Sequence, residues 1–208
     1  MTAVVLWLVA SYLLGSIPTS YLVARIFKGV DLREHGSRTL GATNLYRFLG
    51  WKYAIPAGLF DAAKGAIPVW VFGPRVPELP LFPLLCGVTA VIGHVFSVFV
   101  RFKGGKGVAT ASGVVLALAP WALLVVLVVW IATVWLTGYV SLGSVLSAAL
   151  FPAAAYLLEG ARGPVLTVEI ALAAFIIWKH RANLKRLAAG TENRFGRRER
   201  REPAGGAP

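Results

Sequence analysis

The sequence predicts an all-α, polytopic integral membrane protein of about seven transmembrane helices, with its N-terminus outside and its C-terminus cytoplasmic. Three observations predict this. Of the 208 residues, 57% are hydrophobic and only 14% are charged, against roughly 25% charged in an ordinary soluble domain. A soluble globule of this size has too little interior to hide so much apolar surface. Charge-poor stretches recur along the chain, several near the roughly 20 helical residues that a ~30 Å hydrocarbon core demands. Finally, the basic residues behind the net charge of +12 fall mostly in alternate loops. The same composition excludes disordered, collagen-like and disulfide-built proteins. The length suits one domain, placed at residues 1–192, followed by a basic tail at 193–208 that is expected to be disordered.

The first span, 3–24, carries no charge, and the first basic residue is Arg25. No basic segment precedes it and it outruns a secretory signal, so it reads as a retained helix. Within it GSIPTSY, Gly15 to Tyr21, contains Pro18 and small residues that permit a kink and close packing. The later spans are 53–73, 79–100, 108–119, 121–137, 139–158 and 165–180. Asp61 and Lys64 stand in the second, at i and i+3. Charges at that depth are costly unless paired or facing a polar cavity, so a structural Asp61–Lys64 pair, or pairing with a neighbouring helix, is expected. Cys86 lies in an apolar run of the third span and reads as a small core residue.

Pro120 divides 108–137 into a short helix and a full one, because proline disfavours helix in the residue before it. The short piece crosses fully only with help from partners or a thinned bilayer. One kinked helix is the rival reading, and the positive-inside rule decides between them. With seven helices, every Lys and Arg except Lys64, Arg75 and Arg162 falls in 25–52, 101–107 or 179–208, all on one side. A single kinked helix would send the basic tail outside. The basic balance is therefore an orientation signal, and no nucleic-acid partner is expected. The RFGRRERREP run at 194–203 reads as a solvated end near anionic lipid.

Most polar residues gather at that same face. The loop GSRTLGATNLYR, Gly36 to Arg47, sets Ser37, Thr39, Thr43 and Asn44 among close-spaced glycines. It is either an ordinary polar turn or a nest of N–H groups for an anion. A second cluster runs from Gly93-His94 into FKGGKGVAT, where Lys103, Gly104, Gly105, Lys106 and Gly107 directly precede a helix start. Helix N-termini and lysines together favour a phosphate-like ligand. This is not a Walker A loop: the position five before Gly105 is Val100, and Gly107 comes after Lys106. Nucleotide hydrolysis is unsupported. Thr137, Tyr139, Ser141 and Ser144 flank the sixth helix and read as helix–helix hydrogen-bonding residues. His180 and Asn183 close the seventh at i and i+3. His94 is either a structural donor or a general base.

Taken in order, GSIPTSY, GSRTLGATNLYR and GHVFSVFVRFKGGKGVAT resemble the three motifs of the bacterial acyl-phosphate:glycerol-3-phosphate acyltransferases. DAAKG, YVSLGS and HRANLKRL are also similar, and the resemblance covers roughly residues 5–192. It departs at Gly36–Thr39, where Gly-Ser-Arg-Thr stands for the family's usual Gly-Ser-Gly-Asn. The resemblance implies acyl transfer from acyl phosphate to the sn-1 hydroxyl of glycerol 3-phosphate, giving lysophosphatidic acid and inorganic phosphate. It implies that Ser37, Arg47, Lys106, His180 and Asn183 hold glycerol 3-phosphate, with Ser37 and Lys106 among the catalytic groups. Thr43, Asn44, the backbone of Gly104, Gly105 and Gly107, and Ser144 would hold acyl phosphate, with Lys103 and Ser141 beside them. His94 would orient or accept a proton, with the acyl-phosphate group itself as the competing acceptor.

Acyl phosphate is already activated, so no enzyme nucleophile is required; no metal and no cofactor is implied. The expected partners are the two substrates, membrane lipid and the enzyme that forms acyl phosphate. The expected location is the bacterial cytoplasmic membrane, with the site on the cytoplasmic face. The thioester-using acyltransferases carry His-x-x-x-x-Asp, whereas here Leu40, Phe99 and Lys185 stand five after the three histidines. A transporter of phosphorylated anions is the alternative class. It would bind near the midplane, whereas these polar groups collect at one interface.

Overall fold

The first span is broken in two. Helix α1 (Thr2–Ser16) and α2 (Thr19–Lys28) meet at Pro18, which cannot donate a backbone hydrogen bond. The remaining helices are α3 (Ala42–Leu49), α4 (Trp51–Ile67), α5 (Phe82–Val95), α6 (Val108–Leu118), α7 (Pro120–Thr137), α8 (Val140–Leu158), α9 (Gly163–Lys179) and α10 (Arg181–Ala188). This computed structural model describes residues 1–195. Of the basic tail expected at 193–208, residues 196–208 lie outside the described residues.

Among the described residues, five helical stretches are long and apolar enough to span a bilayer: Thr2–Lys28, Trp51–Arg75, Phe82–Val100, Pro120–Thr137 and Val140–Leu158. A sixth is α9 with α10, taken across a 53° bend. The seventh span expected from the sequence is α6, whose 11 residues reach about 16 Å, half the hydrocarbon core. Pro120 opens α7, so the proline is a turn between two helices, not a kink in one. Large apolar side chains such as Leu59, Trp121, Val128 and Trp135 point outward, which suits lipid as the solvent.

The bundle is held by close backbone approaches. At Gly15 and Gly93 a Cβ would strike the backbone of the facing helix, Ala90 and Tyr12 respectively; Gly65 meets Thr110 and Gly113 meets Ala62 in the same way. Small residues are thus the seams joining α1 to α5 and α4 to α6. The expected Asp61–Lys64 pair is present, at 2.7 Å and buried. Its further contacts explain its placement. Lys64 Nζ donates to Ile17 O at 2.6 Å, a carbonyl beside the proline break. Asp61 accepts from Thr19 Oγ1 at 2.8 Å, at the first residue of α2. The pair therefore ties both sides of the break to α4.

Candidate active site

At the end of the bundle where α2, α5 and α9 terminate and α6 and α8 begin, three loops converge. In the loop before α3, Asn44 is almost fully buried. Its Nδ2 donates to the carbonyls of Leu32, His35 and Thr39 at 3.0–3.2 Å. Its Oδ1 accepts from Ser37 N at 3.0 Å. The amide therefore holds the fold of the loop in which Ser37 and Thr39 stand. Ser37 and Thr39 share a hydroxyl hydrogen bond of 2.9 Å. Arg38, where the related family has glycine, sits at φ 56°, in the left-handed region that disfavours side chains.

The glycine–lysine loop folds back on the end of α5. Gly104 N–H donates to Val95 O at 3.1 Å and Gly105 N–H to His94 O at 3.2 Å. A Cβ on Gly105 would meet the His94 ring and lie 2.6 Å from Leu40 O. The N–H groups of Gly104 and Gly105 are thus used by α5, and both glycines also permit close approach. Gly107, at φ 85°, caps α6; by helix geometry the first turn of that helix offers N–H groups without intrahelical partners. Lys103 and Phe102 stand exposed.

His94 lies behind this loop. Its ring is buried, with Nδ1 3.8 Å from Asp61 Oδ1, so it touches the Asp61–Lys64 pair on one side and Gly105 on the other. That position suits an orienter better than a base.

The third group surrounds Lys106. Its Nζ donates to Asn183 Oδ1 at 2.7 Å. Asn183 Nδ2 in turn donates to Glu192 Oε1 at 2.6 Å, joined there by Ser141 Oγ at 2.9 Å. Arg186 Nε reaches Glu192 Oε2 at 2.7 Å. His180 is buried at the α9–α10 bend, and its Nδ1 bonds Ile176 O at 2.8 Å. A carbonyl can only accept, so that nitrogen carries the proton and Nε2 is left as an acceptor.

Glu192 was not anticipated from the sequence, where it is only the last residue of the domain placed at 1–192. The segment around it packs. Arg47 Nη2 donates to Asn193 O at 3.2 Å, Phe195 N to Gly138 O at 2.6 Å, and Phe195 stacks on Tyr46. The folded part thus runs past residue 192, and an open cavity lies among Arg47, Tyr139 and Glu192.

Electrostatically the group is cationic. Burial pushes Lys106 down to about 8; Glu192 opposes this, while Arg186, Arg47 and Lys179 reinforce it. Burial raises the Glu192 carboxyl, but hydrogen bonds from Asn183, Ser141 and Arg186 outweigh it and hold it below its ordinary value. One carboxylate set against Lys106, Arg47, Arg186 and Lys179 leaves a net positive pocket at a membrane interface, which suits a phosphate. Ser144 stands apart: it donates to Val140 O at 2.9 Å and accepts from Trp130 Nε1 at 3.3 Å. Among the described residues no group of His, Cys, Asp and Glu could hold a metal ion.

Comparison with known proteins agrees with this geometry. The family described as "Glycerol-3-phosphate acyltransferase" matches residues 5–190. Proteins of that name from Chlorobaculum parvum and Geotalea daltonii are 45% and 43% identical, over 90% and 95% of this chain and 95% and 100% of their own. The crystal structure of PlsY (YgiH), an integral membrane glycerol 3-phosphate acyltransferase, in its glycerol 3-phosphate form superposes with a TM-score of 0.87. It is 39% identical and covers 93% of this chain and 96% of its own. Its lysophosphatidic acid form gives 0.84 at 38% identity, over 93% and 95%.

Proposed function

The chain belongs to the glycerol-3-phosphate acyltransferase family, and on that premise we propose that it transfers a fatty acyl group from acyl phosphate to the sn-1 hydroxyl of glycerol 3-phosphate. The products are lysophosphatidic acid and inorganic phosphate. The observation that carries this reading is the cation group of Lys106, Arg47, Arg186 and Lys179 around the Asn183–Glu192 hydrogen bond.

The glycerol 3-phosphate headgroup is held by Lys106, Arg47, His180, Asn183 and Ser37, and the donor phosphate by Thr43, Gly107 and the first turn of α6. The hydroxyl oxygen attacks the acyl carbonyl carbon. The bond from that carbon to the phosphate oxygen breaks, and its electron pair leaves with the phosphate, which takes the hydroxyl proton. Catalysis is then positioning plus neutralisation of the leaving group. No enzyme nucleophile takes part, and Cys86 is buried in the bundle. His94 supports Gly105 and through it Lys106. The active face is the one rich in Lys and Arg, which the positive-inside rule assigns to the cytoplasm of a bacterial inner membrane.

Lys106→Ala tests the assignment. Loss of a charged donor in such a site lowers kcat by about 10²–10³-fold, with the variant still monodisperse in detergent. Near-normal phosphate release by a folded variant contradicts it.

A further inference from the structure

A cleft opens between α6, α7, α8 and α9, away from the charged group. Its near end adjoins the site: Val108 is next to Gly107, Ser144 stands one turn after Ser141, and Ile176 one turn before His180. Its far end is formed by Val115 of α6, Leu123 and Val126 of α7, and Phe151 of α8. Val115 and Phe151 each lie seven residues beyond the near-end residue of their helix, about 10 Å deeper at the helical rise.

The lining presents no spare polarity. Its three serines, at 112, 144 and 147, each donate to a backbone carbonyl: Val108 O at 3.0 Å, Val140 O at 2.9 Å and Val126 O at 2.8 Å. The remaining lining residues are apolar. A charged ligand would lose its water there with little to replace it, so an alkyl chain is the occupant the cleft fits.

The far end is tightly packed. Val115, Val126 and Phe151 belong to one packed cluster with Ala119, Ala122, Ala154 and Ala155. Those alanines are at most 5% exposed, and Ala119 stands where α6 gives way to α7. Among the buried residues of that cluster, otherwise alanine and valine, Phe151 is the one large ring. The depth of the cleft therefore depends on one side chain.

We propose that this cleft takes the acyl chain of the donor and that Phe151 is the floor setting the chain length accepted. The proposal rests on the acyl-transfer reading above and adds a specificity-determining residue to it. A resident bilayer lipid has the same alkyl chemistry, and the experiment separates the two sources.

Purified wild type, Phe151→Ala and Ala148→Phe are compared on short-, medium- and long-chain acyl phosphates, with glycerol 3-phosphate saturating. Ala148 lines the cleft between mouth and floor. Phe151→Ala raises the long-to-short ratio of kcat/KM by about tenfold, and Ala148→Phe lowers it by a similar factor, the scale of pocket discrimination between chain lengths. The KM for glycerol 3-phosphate stays unchanged in both. Should Phe151→Ala fail to fold, Phe151→Leu and Ala148→Phe carry the test. Folded variants that keep the wild-type chain-length profile overturn the floor and leave a resident lipid as the occupant. Failure of the wild type on every acyl phosphate overturns the acyl-transfer reading and the floor with it.

Discussion

Arg38 illustrates how a single residue can carry a local cost. It holds φ 56° in the loop that presents Ser37, a conformation that costs an L-residue roughly 1–2 kcal/mol and glycine almost nothing. Arg38→Gly therefore raises stability by about 1 kcal/mol, read as a higher melting temperature in detergent, with Ser37 still held by Asn44. At Lys106 the effect is one of charge. In the proposed function the protonated amine is the form that binds phosphate, and burial, reinforced by neighbouring cations, brings its pKa to about 8. As pH rises through about 8 the amine loses its proton, so the KM for glycerol 3-phosphate rises. Lys106→Arg keeps its charge and flattens that limb. A wild-type KM that stays constant across this range contradicts the role. The clustering of cations at this loop was legible from residue types alone. That Gly104 and Gly105 spend their N–H groups on α5 was not, because it depends on how closely a loop lies against a helix end.

Among the elements, the broken first helix shows most directly how a buried ion pair is used. Lys64 bonds the Ile17 carbonyl and Asp61 the Thr19 hydroxyl, on either side of Pro18. Removing one partner leaves the other charge buried and unpaired, at a cost of about 3–5 kcal/mol. Asp61→Asn and Lys64→Met should each lower the melting temperature sharply. The double variant recovers most of the loss, since it removes both charges; a double variant no better than either single would show that the pair is not the cause. The pair itself could be expected from its spacing and depth. Its partners could not, since they come from another helix. Glu192 was hidden for the same reason: Ser141 is remote in the chain, and only folding brings it beside Asn183 and Arg186.

For the whole molecule, apolar spacing and charge placement already separate α6 from α7 and predict a half-length helix there. What no spacing rule could reveal is the consequence of α6 stopping short. Its N-terminus meets the Lys106 loop and its residues from Val108 to Val115 line the apolar cleft, so the cationic group and the cleft share one wall. A phosphate joined to a fatty chain matches that shape end to end, whereas a transported phosphorylated anion would have no use for the cleft. Donor choice tests this match most directly. Purified protein is given glycerol 3-phosphate with acyl phosphate or an acyl thioester, and lysophosphatidic acid and inorganic phosphate are measured together. Both products should form in equal amounts from acyl phosphate, and the thioester should give none. Comparable transfer from the thioester, or no transfer from acyl phosphate, would contradict the proposed reaction.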